Sequence, residues 1–163
     1  MKKIILTLAF IFSLVSFTKA QADGKSIGVR LGYPTEISFQ TGLSKSNRLE
    51  LGLGFRSYGY GTGNYDLFNL SGVYQWVWDL SALSTGFNWY AGLGASIGYY
   101  SFSYVNNDYS GYPVAILGQV GIEYNFNIPL RLSLDYRPAI QLNANRSGFL
   151  ADGIALGVRY TFK

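Results

Sequence analysis

The sequence predicts an all-β fold in which eight antiparallel strands close into an up-and-down transmembrane β-barrel. Apolar and polar residues alternate through almost the whole chain after an N-terminal export segment. Glycine and a nearly balanced set of charges occupy the polar positions. Aromatic residues make up 17% of the chain and charged residues only 13%, a balance that favours a β protein in lipid over a soluble one.

The first 20 residues have the layout of a secretory signal peptide. Lys2 and Lys3 form a basic start, the segment from Ile4 to Phe17 is largely apolar, and Ala20 is the small residue that a signal peptidase requires. The apolar run is shorter than the roughly 20 residues that a membrane-spanning helix needs. We therefore expect residues 1–20 to be removed after export and residues 21–163 to form a single barrel domain.

Removal of the signal peptide changes the charge of the chain. Three of the 13 basic residues lie within it, so ten basic residues accompany nine acidic ones in the mature protein. The isoelectric point of about 9.2 therefore describes mostly the discarded segment. Nothing in the mature sequence favours nucleic acid as a partner.

Eight segments show the alternation of a strand with one apolar face. In the last of them, Leu156 and Val158 alternate with Gly157 and Arg159. The segments run from Ser26 to Tyr33, Thr35 to Leu43, Arg48 to Ser57, Asp66 to Trp78, Asn88 to Tyr100, Pro113 to Asn125, Pro129 to Asn143 and Ile154 to Phe162. Pro138 interrupts the seventh segment, and we expect it at a bulge or above the lipid zone because proline cannot donate to a β-ladder.

Two kinds of barrel share this alternation. A soluble lipocalin-like barrel packs its apolar face inward, whereas a membrane barrel turns that face to the lipid. Nine charged residues on the polar faces, five positive and four negative, decide between them: Arg30, Glu36, Glu50, Arg56, Glu123, Arg131, Asp135, Arg137 and Arg159. Paired charges and glycine suit a crowded interior better than a solvated surface, so we expect a charge network in the lumen.

Sequence spacing suggests how these charges pair. Glu123 and Arg131 lie symmetrically about Asn127, and Arg30 and Glu36 bracket the first tight turn, so each pair is expected to face across a hairpin. We expect a lower cluster that includes Glu50 and Arg159, and an upper cluster of Arg56, Asp135 and Arg137. The network would serve either as a plug that fixes strand register or as a narrow path for ions or protons.

Tyrosines concentrate in the segments that should connect the strands on the outer side. The expected outer connections are Pro34 to Thr35, Tyr58 to Tyr65, Phe102 to Tyr112 and Ala144 to Ala151. Candidate contact residues for a surface ligand are Tyr58, Tyr60, Tyr104, Tyr109 and Tyr112, because tyrosine binds partners with little loss of conformational entropy. The alternative is that these side chains anchor the loops at the lipid headgroups.

The closing segment Gly157-Val158-Arg159-Tyr160-Thr161-Phe162 resembles the C-terminal signal by which the outer-membrane assembly machinery selects its clients. With the export signal and the eight segments, the mature chain resembles the small OmpA- and OmpX-type barrels of Gram-negative bacteria. That resemblance implies a location in the cell outer membrane, with outer-membrane lipid and the assembly machinery as partners. The family usually ends on the aromatic residue itself, whereas this chain adds Lys163.

Histidine and cysteine, which many catalytic and metal sites use, are both missing. Without histidine or cysteine, neither a Ser-His-Asp triad nor a histidine or thiolate metal site can be built. We therefore expect no catalytic residue, no metal and no cofactor. Three hypotheses remain: a non-enzymatic outer-membrane barrel that is structural or binds a surface ligand through its loops, a narrow porin-like channel for small solutes or ions, and a soluble periplasmic lipocalin-like barrel that binds a ligand.

Overall fold

A computed structural model describes residues 24–60, 63–104, 107–143 and 148–162, and the expected signal peptide, residues 1–20, lies outside them. The strands form one antiparallel sheet, which closes because β1 pairs with both β2 and β11. They are β1 (Lys25–Gly32), β2 (Thr35–Gly42), β3 (Asn47–Tyr60), β4 (Gly63–Asp79), β5 (Phe87–Tyr104), β6 (Asn107–Gly111), β7 (Val114–Asn125), β8 (Leu130–Tyr136), β9 (Ala139–Gln141), β10 (Phe149–Leu150) and β11 (Ile154–Phe162). The described residues include no helix that is both long and apolar enough to cross a membrane.

These strands build an eight-stranded barrel, because three of the eight are each divided into two. β6 and β7 are separated by Tyr112 and Pro113 but pair with β5 in one continuous register. β8 and β9 likewise pair with β7 in one register, and β10 and β11 together form the last strand. The predicted fold class is confirmed, and connections run only between neighbours in the sheet.

Pro138 lies between β8 and β9. Its carbonyl accepts a hydrogen bond from the backbone N–H of Gly118 at 2.9 Å, so the register with β7 continues through the proline. Proline lacks a backbone N–H but keeps its carbonyl, so at a position that only accepts a hydrogen bond from β7 no bond of the ladder is lost.

The expected bulge occurs on the other neighbour of this strand. Arg137 donates its backbone N–H to the carbonyl of Gly153 at 2.9 Å, whereas Ala139 pairs with Leu150. Residues 151 and 152 therefore lie opposite a single residue, the proline, which is the arrangement of a β-bulge. The bulge lies between β10 and the first residue of β11 and divides the last strand of the barrel into these two segments.

The barrel has a polar interior and an apolar exterior. Apart from glycines, the described residues that are buried comprise 17 polar or charged ones and six apolar ones. Arg159 is 0% exposed, whereas Leu53 and Ile97 on the outer surface are 40% and 52% exposed. This orientation is the opposite of that in a lipocalin-like barrel, whose apolar face packs inward.

The outward face changes from aromatic to polar within one row of residues. Phe55, Phe68 and Tyr99 pair across β3, β4 and β5, and the rings of Phe55 and Phe68 are 5.3 Å apart. The next outward-facing row is Ser57, Asp66, Ser101 and Ser110. Aromatic rings are favoured at a membrane–water boundary, and hydroxyl and carboxylate groups are favoured beyond it.

Four strands continue past this boundary. We call residues 57–60, 63–66, 101–104 and 107–110 the outer sheet; they are the ends of β3, β4, β5 and β6. Four residues of strand reach roughly 13 Å. The expectation that residues 58–65 and 102–112 are loops was wrong for residues 58–60, 63–65, 102–104 and 107–111, which are in strands. Tyr, Phe and Ser are frequent there, and aromatic residues favour strands.

The opposite end of the barrel carries a second set of aromatic residues. Trp78 and Trp89 stack with their ring centroids 4.2 Å apart. Tyr124 packs on Phe126 and Tyr160 packs on Phe162 in edge-to-face geometry. The apolar surface is thus bordered by aromatic rings at both ends, as two membrane interfaces require.

Contact between the apolar exterior and lipid can be tested by placing an arginine on that surface. Leu51 lies midway along the apolar positions of β3 and is 44% exposed, so Leu51→Arg should lower the free energy of unfolding in lipid vesicles by roughly 2–4 kcal/mol. The control Ser57→Arg, on the same face beyond the aromatic row, should cost at most about 1 kcal/mol. Equal losses in the two variants, measured by urea titration, would contradict the assigned boundary.

Candidate functional site

Glu50 is the centre of the charge network in the lumen. It is 1% exposed, and its carboxylate forms ion pairs with Arg137 at 2.6 Å and with Arg159 at 3.3 Å. The side-chain amides of Gln40 and Gln75 donate to the same carboxylate at 2.6 and 2.8 Å. Four donors surround one carboxylate, which offsets the cost of burying its charge.

An upper cluster lies on the outer side of Glu50. Arg30 donates from both Nε and Nη2 to one oxygen of Asp135, at 2.9 and 2.7 Å. Arg30 and Glu36 face each other across the first hairpin, as expected, with their charged atoms 3.6 Å apart. Arg137 joins the two levels, because its Nη1 contacts Glu36 at 2.7 Å while its Nη2 contacts Glu50.

A lower cluster surrounds Glu123. Arg48 contacts this carboxylate at 2.7 Å, and the amide of Asn88 donates to it at 3.2 Å. Arg131 and Glu123 do not face each other directly: the register pairs Glu123 with Ser133, and the two charged groups come only within 3.9 Å. The hairpin is centred on Ile128 rather than on Asn127, which shifts the pairing by two residues and keeps both side chains inside.

Arg48 is a member of the network that the sequence analysis missed. It is 1% exposed, and its guanidinium also lies 4.8 Å from the ring centroid of Tyr90. Tyr90 in turn donates its hydroxyl to Asp135 at 3.1 Å, so it connects the lower and upper clusters. Arg48 lies two residues before Glu50, and alternate residues of a strand share one face, so the sequence could have placed Arg48 in the lumen.

Arg56 lies at the outer mouth of the lumen, apart from the buried clusters. Its guanidinium carbon is 3.1 Å from the centroid of the Tyr33 ring and 5.8 Å from that of Tyr65. Tyr65 also stacks on Tyr100, with ring centroids 6.0 Å apart. The mouth therefore combines one cation with three tyrosine rings.

The lumen widens between this mouth and the upper cluster. We call this space the outer cup; its volume is about 370 Å³. Arg30, Glu36 and Arg137 line it, as do Leu67 and Leu117. All nine charged residues that the sequence suggested thus face the lumen or its mouth. Eight of them form the clusters described above together with Arg48, whereas Arg56 lies at the mouth rather than in the upper cluster.

The candidate contact tyrosines are divided between two surfaces. Tyr109 is 59% exposed and pairs with Phe102, which places it on the lumen-side face of the outer sheet. Tyr112 is 67% exposed but packs on Tyr99, on the outward aromatic row. The side chains of Tyr58, Tyr60 and Tyr104 lie outside the described part of the chain.

Three residues form a continuous row across the outer sheet: Tyr65, Phe102 and Tyr109. The row faces the same side as the lumen. In the described ranges there is no group of three or more His, Cys, Asp and Glu side chains that could hold a metal ion. The described side chains could therefore make ionic contacts inside the barrel and aromatic contacts on the outer sheet.

The closed eight-stranded sheet has counterparts among solved structures. The chain has the fold of the small eight-stranded outer-membrane barrels. Neisserial surface protein A (NspA) aligns with a TM-score of 0.61 and 13% identity over 85% of this chain and 93% of that one. The N-terminal β-barrel domain of Pseudomonas aeruginosa OprF gives a TM-score of 0.59 and 14% identity over 85% and 95% of the two chains.

A third barrel of this fold is Ail, the attachment invasion locus protein of Yersinia pestis. It aligns with a TM-score of 0.52 and 14% identity over 85% of this chain and 94% of that one. Neither a protein-family model nor a curated protein sequence matches the chain. The likeness is therefore one of fold, and the side chains of this lumen have to be interpreted from their own contacts.

The ion pair between Arg48 and Glu123 should be strongly coupled. Replacing one partner leaves a buried charge without its counterion, so Arg48→Met and Glu123→Gln should each lower the free energy of unfolding by about 3–5 kcal/mol. The double variant should lose less than the sum of the two, with a coupling energy of about 1 kcal/mol or more. Additive losses in denaturant titrations would mean that the pair contributes no specific interaction.

Gly121 provides space for the Tyr90 ring that links the two clusters. A Cβ atom at this position would lie 2.6 Å from Cζ and 2.7 Å from the hydroxyl oxygen of Tyr90. Gly121→Ala should therefore displace the ring and lower stability by about 1–3 kcal/mol. The matched control is Gly118→Ala in the same strand, where the nearest atom is Pro138 Cγ at 3.5 Å. Equal midpoints for both variants would contradict this packing.

Proposed function

We propose that this chain is an outer-membrane protein without enzymatic activity and that its outer sheet binds a protein partner at the cell surface. The observation that carries the proposal is the different composition of the two faces of the outer sheet. The outward face becomes polar at Ser57 and Asp66, while the lumen-side face remains aromatic at Tyr65 and Phe102. A strand that only extended the barrel wall into water would have no need of those rings.

The outer-membrane location is supported by the exterior of the barrel. Leu, Ile and Val side chains cover it between two sets of aromatic rings, and a soluble protein rarely exposes so large an apolar surface. A closed β-ladder leaves no unpaired backbone groups in lipid. Lipid of the outer membrane and the assembly machinery that inserts barrels are accordingly its proposed partners during biogenesis.

Binding through the outer sheet is supported by the chemistry of its lumen-side face. Phe102 and Tyr109 are neighbours across two strands, and Tyr109 is 59% exposed. Tyrosine and phenylalanine held on a sheet provide a large contact area and lose little conformational entropy on binding. Two proteins of the same fold are described as a surface protein and as an attachment invasion locus protein, which agrees with a role at the surface.

A narrow channel has less support than surface binding. Ion pairs cross the lumen between β3 and β8–β9, between β1 and β8, and between β3 and β11. An eight-stranded barrel is only wide enough for its own side chains to fill, and these side chains occupy the middle of the path.

The outer-membrane location can be tested by fractionation. The protein should enter the outer-membrane fraction and migrate faster on a gel before heating than after it, as folded barrels do. Recovery in the soluble periplasmic fraction without detergent would overturn the proposal.

Surface binding should depend on one face of the outer sheet. Purified protein in lipid nanodiscs is screened against immobilised extracellular-matrix and serum proteins, with free glycans as a separate arm. A protein partner should lose at least about tenfold in affinity with the double variant Phe102→Ser, Tyr109→Ser. The control Ser101→Ala, Ser110→Ala changes the other face of the same strands and should bind normally. Absence of binding to every protein, or equal loss in both variants, would contradict the proposed surface, and binding confined to glycans would reassign the partner.

A further inference from the structure

We propose that the outer cup is a binding site for a small molecule with an aromatic or aliphatic body and one anionic group. This site lies below the outer sheet, within the lumen, and goes beyond the surface binding proposed above. Its volume of about 370 Å³ falls within the range of roughly 300–1,000 Å³ that small-molecule sites occupy.

One wall of the cup is apolar. Leu67, Ala115 and Leu117 face inward there, although the rest of the lumen carries mainly arginine, glutamate, glutamine and serine. Leu117 is 5% exposed and packs with Val73 and Ala115. A vestibule that only held water would gain nothing from apolar side chains in its wall, whereas an apolar ligand would cover the surface that they still present to the cup.

The described part of the lumen carries an excess of positive charge. The described residues of the lumen include six arginines: Arg30, Arg48, Arg56, Arg131, Arg137 and Arg159. They accompany five carboxylates, of which one is at the rim of the cup: Glu36, Glu50, Glu123, Asp135 and Asp152. A carboxylate or sulfonate brought into the cup would balance this interior, and an ammonium group would add to the excess.

A buried guanidinium lies at the inner end of the cup. Arg137 lines the cup and its side chain is 5% exposed. Its positive charge favours an anionic group within the cup. Arg56 at the mouth supplies a second cation on the path of entry.

The shape of the mouth determines the body of the ligand. Tyr65 and Tyr100 stack on each other on one side of the mouth, and the guanidinium of Arg56 lies over the ring of Tyr33 on another. Walls made of flat rings favour a ligand with a planar or narrow apolar body. A long polymer or a folded peptide would not fit in about 370 Å³.

The test uses protein in lipid nanodiscs with isotope-labelled Leu and Val methyl groups, titrated with 2-naphthoate and followed by NMR. We expect saturable shifts at the methyls of Leu67 and Leu117 and none at Val77, a lumen residue packed on Tyr90 away from the cup. Shifts at Leu51 would report only partition into the bilayer. The cationic analogue 2-naphthylmethylammonium should bind at least about tenfold more weakly.

Substitutions separate the two parts of the site. Arg56→Gln should weaken 2-naphthoate by about tenfold and change the binding of neutral 2-naphthylmethanol by less than about twofold. Ala139→Trp, which fills the cup, should abolish binding of both, and Ala95→Trp on the outward face should not. Heat-modifiable migration verifies folding, and Ser96→Trp replaces Ala139→Trp if the latter does not fold.

Three outcomes would overturn the proposal. They are the absence of saturable shifts at Leu67 and Leu117, equal affinity for the anionic and cationic probes, and unchanged binding after the cup is filled. Each is independent of surface binding, because the outer-sheet variant Phe102→Ser, Tyr109→Ser leaves the walls and floor of the cup as they are.

Discussion

Closure of the sheet through the pairing of β1 with β11 determines the placement of every other side chain. Eight residues of β1, from Lys25 to Gly32, each have a partner in β11, so no edge remains at the point where the barrel would otherwise open. Lipid offers no hydrogen bonds to an unpaired backbone, and closure removes that cost. Once the sheet is closed, a period of two leaves each residue either inside or outside, and the charges must satisfy one another inside.

The internal charges form a connected arrangement rather than a set of separate pairs. Arg137 contacts Glu36 and Glu50, and Tyr90 connects Asp135 with the neighbourhood of Arg48. Strands that are distant in sequence are thereby held at one relative height. A shift of any strand by one residue would turn its charges toward lipid, so the arrangement strongly disfavours other registers.

Much of the fold could be predicted from the sequence, because a period of two is a local signal. The parity of Arg30, Glu36 and Glu50 was readable without any knowledge of the partner strand. Particular contacts were not readable in this way. The hairpin after β7 is centred one residue later than its sequence symmetry suggests, and Glu123 meets Arg48 from a distant strand instead. Such pairs depend on how strands distant in sequence are aligned in the closed sheet, and a single sequence does not specify that alignment.

The wall of the barrel differs in height around its circumference. The first hairpin turns between Gly32 and Thr35, whereas β4 begins at Gly63 and β5 continues to Tyr104, well above that level. Among the described residues, the wall is therefore higher at the outer sheet than at the first hairpin. A molecule bound to the lumen-side face of the outer sheet would lie beside the mouth of the lumen, above the level of the charged clusters.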